Sequence, residues 1–164
     1  MVTPISRMNI ERPLAYYKCG QFVGDQGWTH KPMKLDKDYE LIIGLKETVY
    51  LQVGSEHYEI KHGDIMLIAP GVEYVGYAPS NQGVSFFWLH FIPRQDVIMD
   101  TSDTFRSLLF ASAELQQHKE LGSYVCLPEF FSLAYLDKSV MLMKQILDIS
   151  HTSYYSTYAA DYLV

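Results

Sequence analysis

Between residues 39 and 91 short apolar runs alternate with Gly, Pro and Asn turn signals, and no gap between the runs is long enough to hold a crossover helix. Parallel strands need such crossovers, so the runs must pair as antiparallel neighbours, in a barrel or a sandwich. The clearest unit is the hairpin of residues 48–60, in which Val49, Leu51 and Val53 alternate with Tyr50 and Gln52 before the link Gly54-Ser55. The turn His62-Gly63-Asp64 leads into the continuous apolar run 65–69, which has the length of a buried strand and stops at Pro70-Gly71. Two more strands are predicted over 73–77 and 84–92, an earlier one over 39–45, and a first one over 14–22, followed by the turn 24–27.

With 164 residues, 48% of them hydrophobic, the chain is sized for one domain with a real core. A formal net charge of −6 is the wrong sign for capturing a phosphate backbone, so this chain is not expected to hold DNA by itself. Cys19 and Cys126 lie in apolar runs far apart, where buried free thiols are more common than a disulfide. The first thirty residues contain no signal-type apolar region and no run approaches eighteen apolar residues, so neither export nor membrane insertion is indicated and a cytoplasmic address is expected.

The pattern changes after Pro93. Residues 1–13 read as an arm, 14–99 as the β unit, 100–136 as a connecting segment with a short helix around 105–115, and 137–164 as a helical hairpin. Asp137 opens its first helix, and Leu136, Val140, Met143, Ile146 and Leu147 recur in steps of three and four along one face. Ser156 or Thr157 would cap the second helix, with Tyr158, Ala159, Tyr162 and Leu163 beginning an apolar face. The last residues, Leu163-Val164, supply no cap, which reads as a chain cut within a helical hairpin. A stripe of Leu136, Val140, Met143 and Leu147 suits either covering the barrel or pairing with a second copy, and a homodimer is the expectation adopted.

Alternation along the last strand puts Phe86, Trp88 and His90 on one face and Phe87, Leu89 and Phe91 on the other. An indole face stacks on the C–H side of a sugar ring while a histidine beside it offers a hydrogen bond, the blend of apolar wall and sparse polar groups found in small-ligand pockets. Tyr39, Tyr74 and Tyr77 come from neighbouring strands, and Trp28 and His30 from a segment able to fold over the mouth. The six histidines, at 30, 57, 62, 90, 118 and 151, include no i, i+2 pair on one strand, so no metal or other cofactor is expected. Neither cysteine has a basic neighbour and no Gly-x-Ser-x-Gly elbow occurs, so the chain is read as a binder and not an enzyme.

The segments Tyr39-Glu40-Leu41, the hairpin, Gly63-Asp64 through Pro70-Gly71, and Phe87-Trp88-Leu89-His90-Phe91 resemble the effector-sensing domain of AraC-type transcriptional regulators. That resemblance implies a mainly β fold, a cupin-type barrel followed by an antiparallel helical pair that dimerises, with a small effector, often a sugar, bound inside. It further implies that Arg7 and the arm close over the effector, and that DNA is bound only through a helix-turn-helix domain beyond this chain. Three departures stand out: Glu47 where members commonly have Gly, Tyr74 where many have His, and only lysines over 31–34 where an Arg is common. Two rival readings are a metal-independent sugar isomerase or epimerase using His90 with Tyr74, and a purely structural dimerisation module with a filled barrel.

Overall fold

The computed structural model describes residues 4–100, 123–152 and 158–164. Every strand pairing among them is antiparallel. The strands are β1 (Ile5–Asn9), β2 (Ala15–Val23), β3 (Met33–Lys34), β4 (Tyr39–Lys46), β5 (Val49–Val53), β6 (Glu56–Ile60), β7 (Asp64–Ile68), β8 (Glu73–Gly76), β9 (Ser85–Ile92), β10 (Ile98–Asp100), β11 (Tyr124–Pro128) and β12 (Phe130–Ser132). They form a five-stranded sheet in the order β12-β7-β4-β9-β2, a four-stranded sheet β3-β8-β5-β6 and a three-stranded sheet β10-β1-β11.

The five-stranded sheet is apolar on both faces, and the strict two-residue period of β4 and β9 divides the protein into two cores. On one face Tyr39 pairs with Phe91, Leu41 with Leu89 and Ile43 with Phe87. These residues pack with Met8 of β1 and with Met143 and Ile146 of the helix α1 (Asp137–His151). On the other face Glu40 pairs with His90, Ile42 with Trp88 and Gly44 with Phe86. That side meets the four-stranded sheet through Val49, Leu51, Ile60, Met66 and Ile68.

The hairpin of β5 and β6 has the expected register, Val49 opposite Ile60 and Val53 opposite Glu56. Gly54 takes φ 57° as the first of its two loop residues, the position where a II′ reversal calls for glycine. Gly44 is required for a different reason: a Cβ there would lie 2.1 Å from the carbonyl oxygen of Lys61, so the chain after β6 crosses β4 at backbone contact. At the departure from the family pattern, Glu47 itself takes φ 57°, so the corner keeps the left-handed geometry that glycine adopts freely. That conformation costs an L-residue roughly 1–2 kcal/mol. Part of the gain from relieving it is offset by the larger unfolded-state freedom of glycine. Glu47→Gly is therefore expected to raise stability by about 0.5–1 kcal/mol, read as a shifted urea midpoint with unchanged m-value.

Three expectations need correction. The arm is not loose: residues 5–9 form β1, held between β10 and β11. In place of a helical pair, the described residues contain a single α-helix, α1, and one turn of 3-10 helix at Ala159–Tyr162. The capping positions Ser156 and Thr157, and the short helix expected around 105–115, lie outside the described residues. The stripe Leu136, Val140, Met143 and Leu147 is occupied by the protein's own barrel, Met143 being 3% exposed, because a narrow apolar face beside an apolar sheet is covered most readily by that sheet. Met141 and Leu142 are the apolar residues this helix leaves exposed.

Candidate ligand pocket

A cavity of about 360 Å3 opens at the end of the space between the two larger sheets. Phe22, Trp28, Met33, Phe86 and Trp88 form its apolar wall, and Lys18, His30, Lys31, Glu40 and His90 supply its polar groups. Alternation on β9 puts Phe86, Trp88 and His90 together as the sequence indicated. What lets the indole lie flat is on the neighbouring strand. Gly20 pairs with Trp88, and a Cβ on Gly20 would come within 2.4 Å of the ring's Cζ2, so the ring occupies the space a side chain would fill.

The aromatic wall is a connected box. Phe22 lies 4.6 Å from Trp28 and 5.1 Å from Phe86 between ring centroids, both within the range of favourable aromatic pairs. Trp28 is pinned because its carbonyl accepts from the N–H of Ser80, which is itself buried. His30 stacks edge-on against Trp28 at 5.6 Å, its ring held by Nδ1 at 2.7 Å from the carbonyl of Lys31. The 28–30 segment thus folds over the opening, seated on β8 where Gly76 donates its N–H to the carbonyl of His30.

A β-bulge in β2 decides what faces the pocket. Tyr16 pairs with Phe91 and Lys18 with the adjacent His90, so Tyr17 is the extra residue. Without the bulge, Lys18 would point at the α1 side and Tyr17 at the pocket.

The polar end is built around Glu40, 4% exposed in the middle of an apolar strand. Its Oε2 accepts a short hydrogen bond from the Tyr74 hydroxyl, and its Oε1 lies 3.5 Å from His90 Nε2. On the other ring nitrogen, His90 Nδ1 meets Asp38 Oδ2 at 2.5 Å. Both nitrogens facing carboxylates is the arrangement of an imidazolium, which has two donors and no acceptor. Burial works against that charge, but the hydrogen bonds to Glu40 and Asp38 outweigh it and leave the His90 pKa raised above the usual 6.5. The Tyr74 phenol is pushed up well beyond the ordinary tyrosine range by burial and by the charge of Glu40, so it stays a donor.

This geometry predicts a pH dependence. Because His90 binds its proton more tightly folded than unfolded, its contribution is complete below the unfolded pKa and fades as pH rises through the folded one. Urea midpoints are expected to fall as pH climbs above about 6.5. In His90→Gln that decline should disappear.

The remaining expected site residues separate clearly. Tyr74 lies behind the pocket wall, its hydroxyl turned to the Glu40 carboxylate and its ring 5.3 Å from that of His30. Tyr39 lies on the opposite face of the sheet, stacked on Phe91 at 5.7 Å, because residue 39 is out of phase with Glu40. Tyr77 is on the outer surface of the four-stranded sheet, stacked on His57 at 4.3 Å. Arg7 is in β1, its guanidinium 5.3 Å from the ring of Tyr124, and it does not line the pocket. Sequence reasoning missed Lys18, Phe22, Lys31, Met33, Asp38 and Glu40 as site residues. Only Glu40 left a signal, as the lone charge inside the run 39–45.

A second groove, of about 420 Å3, runs past Met33, Gln52, Glu73 and Tyr74. It contains no tryptophan, and its Lys34 is matched by Glu73 at 3.4 Å, so it offers a guest less apolar area and no unmatched charge. No cluster of three or more His, Cys, Asp or Glu side chains among the described residues is disposed to hold a metal ion. No helix among them is long and apolar enough to cross a membrane.

Comparison with known proteins finds relatives over part of the chain. An uncharacterized HTH-type transcriptional regulator of Bacillus subtilis (strain 168), YisR, is 28% identical over 76 residues, 46% of this chain. The chain spans about a quarter of that relative's length, 26%. Solved structures with a similar backbone include a predicted oxalate decarboxylase from Thermotoga maritima, with a TM-score of 0.44 and 12% identity over 54% of this chain and 80% of that one. Another is ToxT from Vibrio cholerae O395 bound to (E)-4-(8-methylnaphthalen-1-yl)but-3-enoic acid, also with a TM-score of 0.44 and 12% identity, over 92% of this chain and 53% of that one. The profile of the AraC-like ligand binding domain matches residues 16–123, which include every side chain lining the cavity. On that match over more than half its length, the chain belongs to the AraC-like ligand binding domain family.

Proposed function

We propose that this chain is the effector-sensing domain of a cytoplasmic AraC-type transcriptional regulator, that it takes a small carbohydrate against Trp88, and that it acts on DNA only through a domain elsewhere in the full-length protein. The observation that carries the reading is the indole of Trp88 laid flat over Gly20 beside a cavity whose polar end is the buried Glu40–His90 pair. A sugar has one face of C–H groups for the ring and an edge of hydroxyls for charged acceptors and donors, and this pocket offers both. Its volume is near the low end of the range for small-molecule sites, about 300–1,000 Å3. A hollow of that size also speaks against the structural module with a filled barrel.

The arrangement does not favour the isomerase reading. His90 and Tyr74 both face Glu40, and a phenol held neutral by a carboxylate is a poor proton relay near neutral pH. Homodimerisation belongs to the proposal as an implication of the family, but through a surface other than the Leu136 stripe, which is already covered.

Effector binding to one of two arrangements of the regulator would shift their populations by its difference in affinity for them. A thermal-shift screen over mono- and disaccharides tests the binding step, since a ligand that binds only the folded state raises the melting temperature by mass action. The same ligand is expected to lose at least ten-fold in affinity in Gly20→Ala, whose new methyl displaces the Trp88 ring. A bound sugar indifferent to Gly20→Ala would place the site elsewhere.

A further inference from the structure

Charge in the cavity is unevenly matched. At the buried end His90 carries one positive charge between two carboxylates, Asp38 and Glu40. At the rim, Lys18 and Lys31 both line the cavity, and neither has a carboxylate within ion-pair distance among the described residues. The cavity therefore carries a net excess of one positive charge, in a chain whose formal net charge is −6. Lys18 faces the cavity only because of the Tyr17 bulge, an interruption of the ladder between β2 and β9 that regular pairing would not produce.

Resting on the carbohydrate reading above, we propose that the guest is an acidic sugar, a hexuronic acid, with its ring on Trp88, its hydroxyl edge toward Glu40 and His90, and its carboxylate between Lys18 and Lys31. A pyranose uronate carries its carboxylate at one end of the ring, so a ring stacked on the indole with hydroxyls at the buried end leaves the carboxylate at the rim. Its single negative charge equals the local excess. A phosphorylated sugar, with a charge of about −1.5 to −2 at neutral pH, overshoots it.

The test is calorimetric titration of the chain with D-glucuronate, D-galacturonate and D-mannuronate, with their neutral parent aldoses, with the uronate methyl esters, and with glucose 6-phosphate. At least one uronate is expected to bind ten-fold or more tightly than its parent and its methyl ester, and to weaken as salt is raised while the neutral sugars do not. In the Lys18→Met/Lys31→Met double variant, checked for folding by circular dichroism, the preference should shrink to two-fold or less. Equal binding of acid, ester and parent, or a preference that survives the double variant, overturns the acidic-sugar assignment and leaves the carbohydrate pocket standing. Tighter binding of the sugar phosphate overturns the carboxylate. No heat from any of the sugars overturns both readings together.

Discussion

Glu40→Ala is expected to be among the most damaging single substitutions in this domain, costing about 3–5 kcal/mol of unfolding free energy. The carboxylate is 4% exposed and accepts from Tyr74 while facing His90. Alanine would leave a buried phenol without its acceptor and a buried imidazolium short of one counter-charge, and each of those groups was desolvated on the expectation of the other. The His90 pKa should fall in the variant, since Glu40 is the larger of the two partners that raise it. Glu40→Gln retains an acceptor for Tyr74 and should recover part of the loss. Urea denaturation of the three proteins, together with an NMR titration of His90, checks both outcomes. Equal stability of wild type and Glu40→Ala would show that the carboxylate contributes nothing to the fold.

Met143→Ala should cost about 2–5 kcal/mol, and the loss should be independent of protein concentration. Met143 is 3% exposed and packs, with Ile146, into the core shared by β2, β4 and β9. If the stripe were instead a dimer surface, the same substitution would weaken association and make the melting temperature vary with concentration. Thermal melts over a hundred-fold concentration range, alongside Met141→Ala on the exposed side, separate the two. A concentration-dependent loss in Met143→Ala would restore the stripe to an interface and sink the packing described here.

The individual strands from β4 to β9 and the hairpin among them were readable because the β signals are local. The alternation Val49, Leu51, Val53 and the Gly54-Ser55 link specify one hairpin whatever surrounds them, and Phe86, Trp88 and His90 share a face by the pleat alone. β1, β10 and β11 were not readable. Three or five residues of mixed polarity become strands only when distant partners supply the ladder, as Ile5–Asn9 does between residues near 99 and near 126. The final helical turn was misjudged for a related reason. Residues 158–164 are held by Asp161, whose carboxylate accepts from the Tyr16 N–H at 2.8 Å and from Arg94 at 2.5 Å, contacts that span over sixty residues.

What the residues determined by themselves is the alternating β unit and the aromatic face on its last strand, because side-chain period and turn chemistry act between near neighbours. Only the tertiary structure decided which face of each strand lines the pocket. Tyr39 was lost to the outer core and Glu40 gained by the pocket through a one-residue difference in phase, and Lys18 was admitted by a single unpaired residue at Tyr17. A strand presents both faces equally until another sheet covers one of them, and neither the bulge nor that choice is written in the strand's own composition.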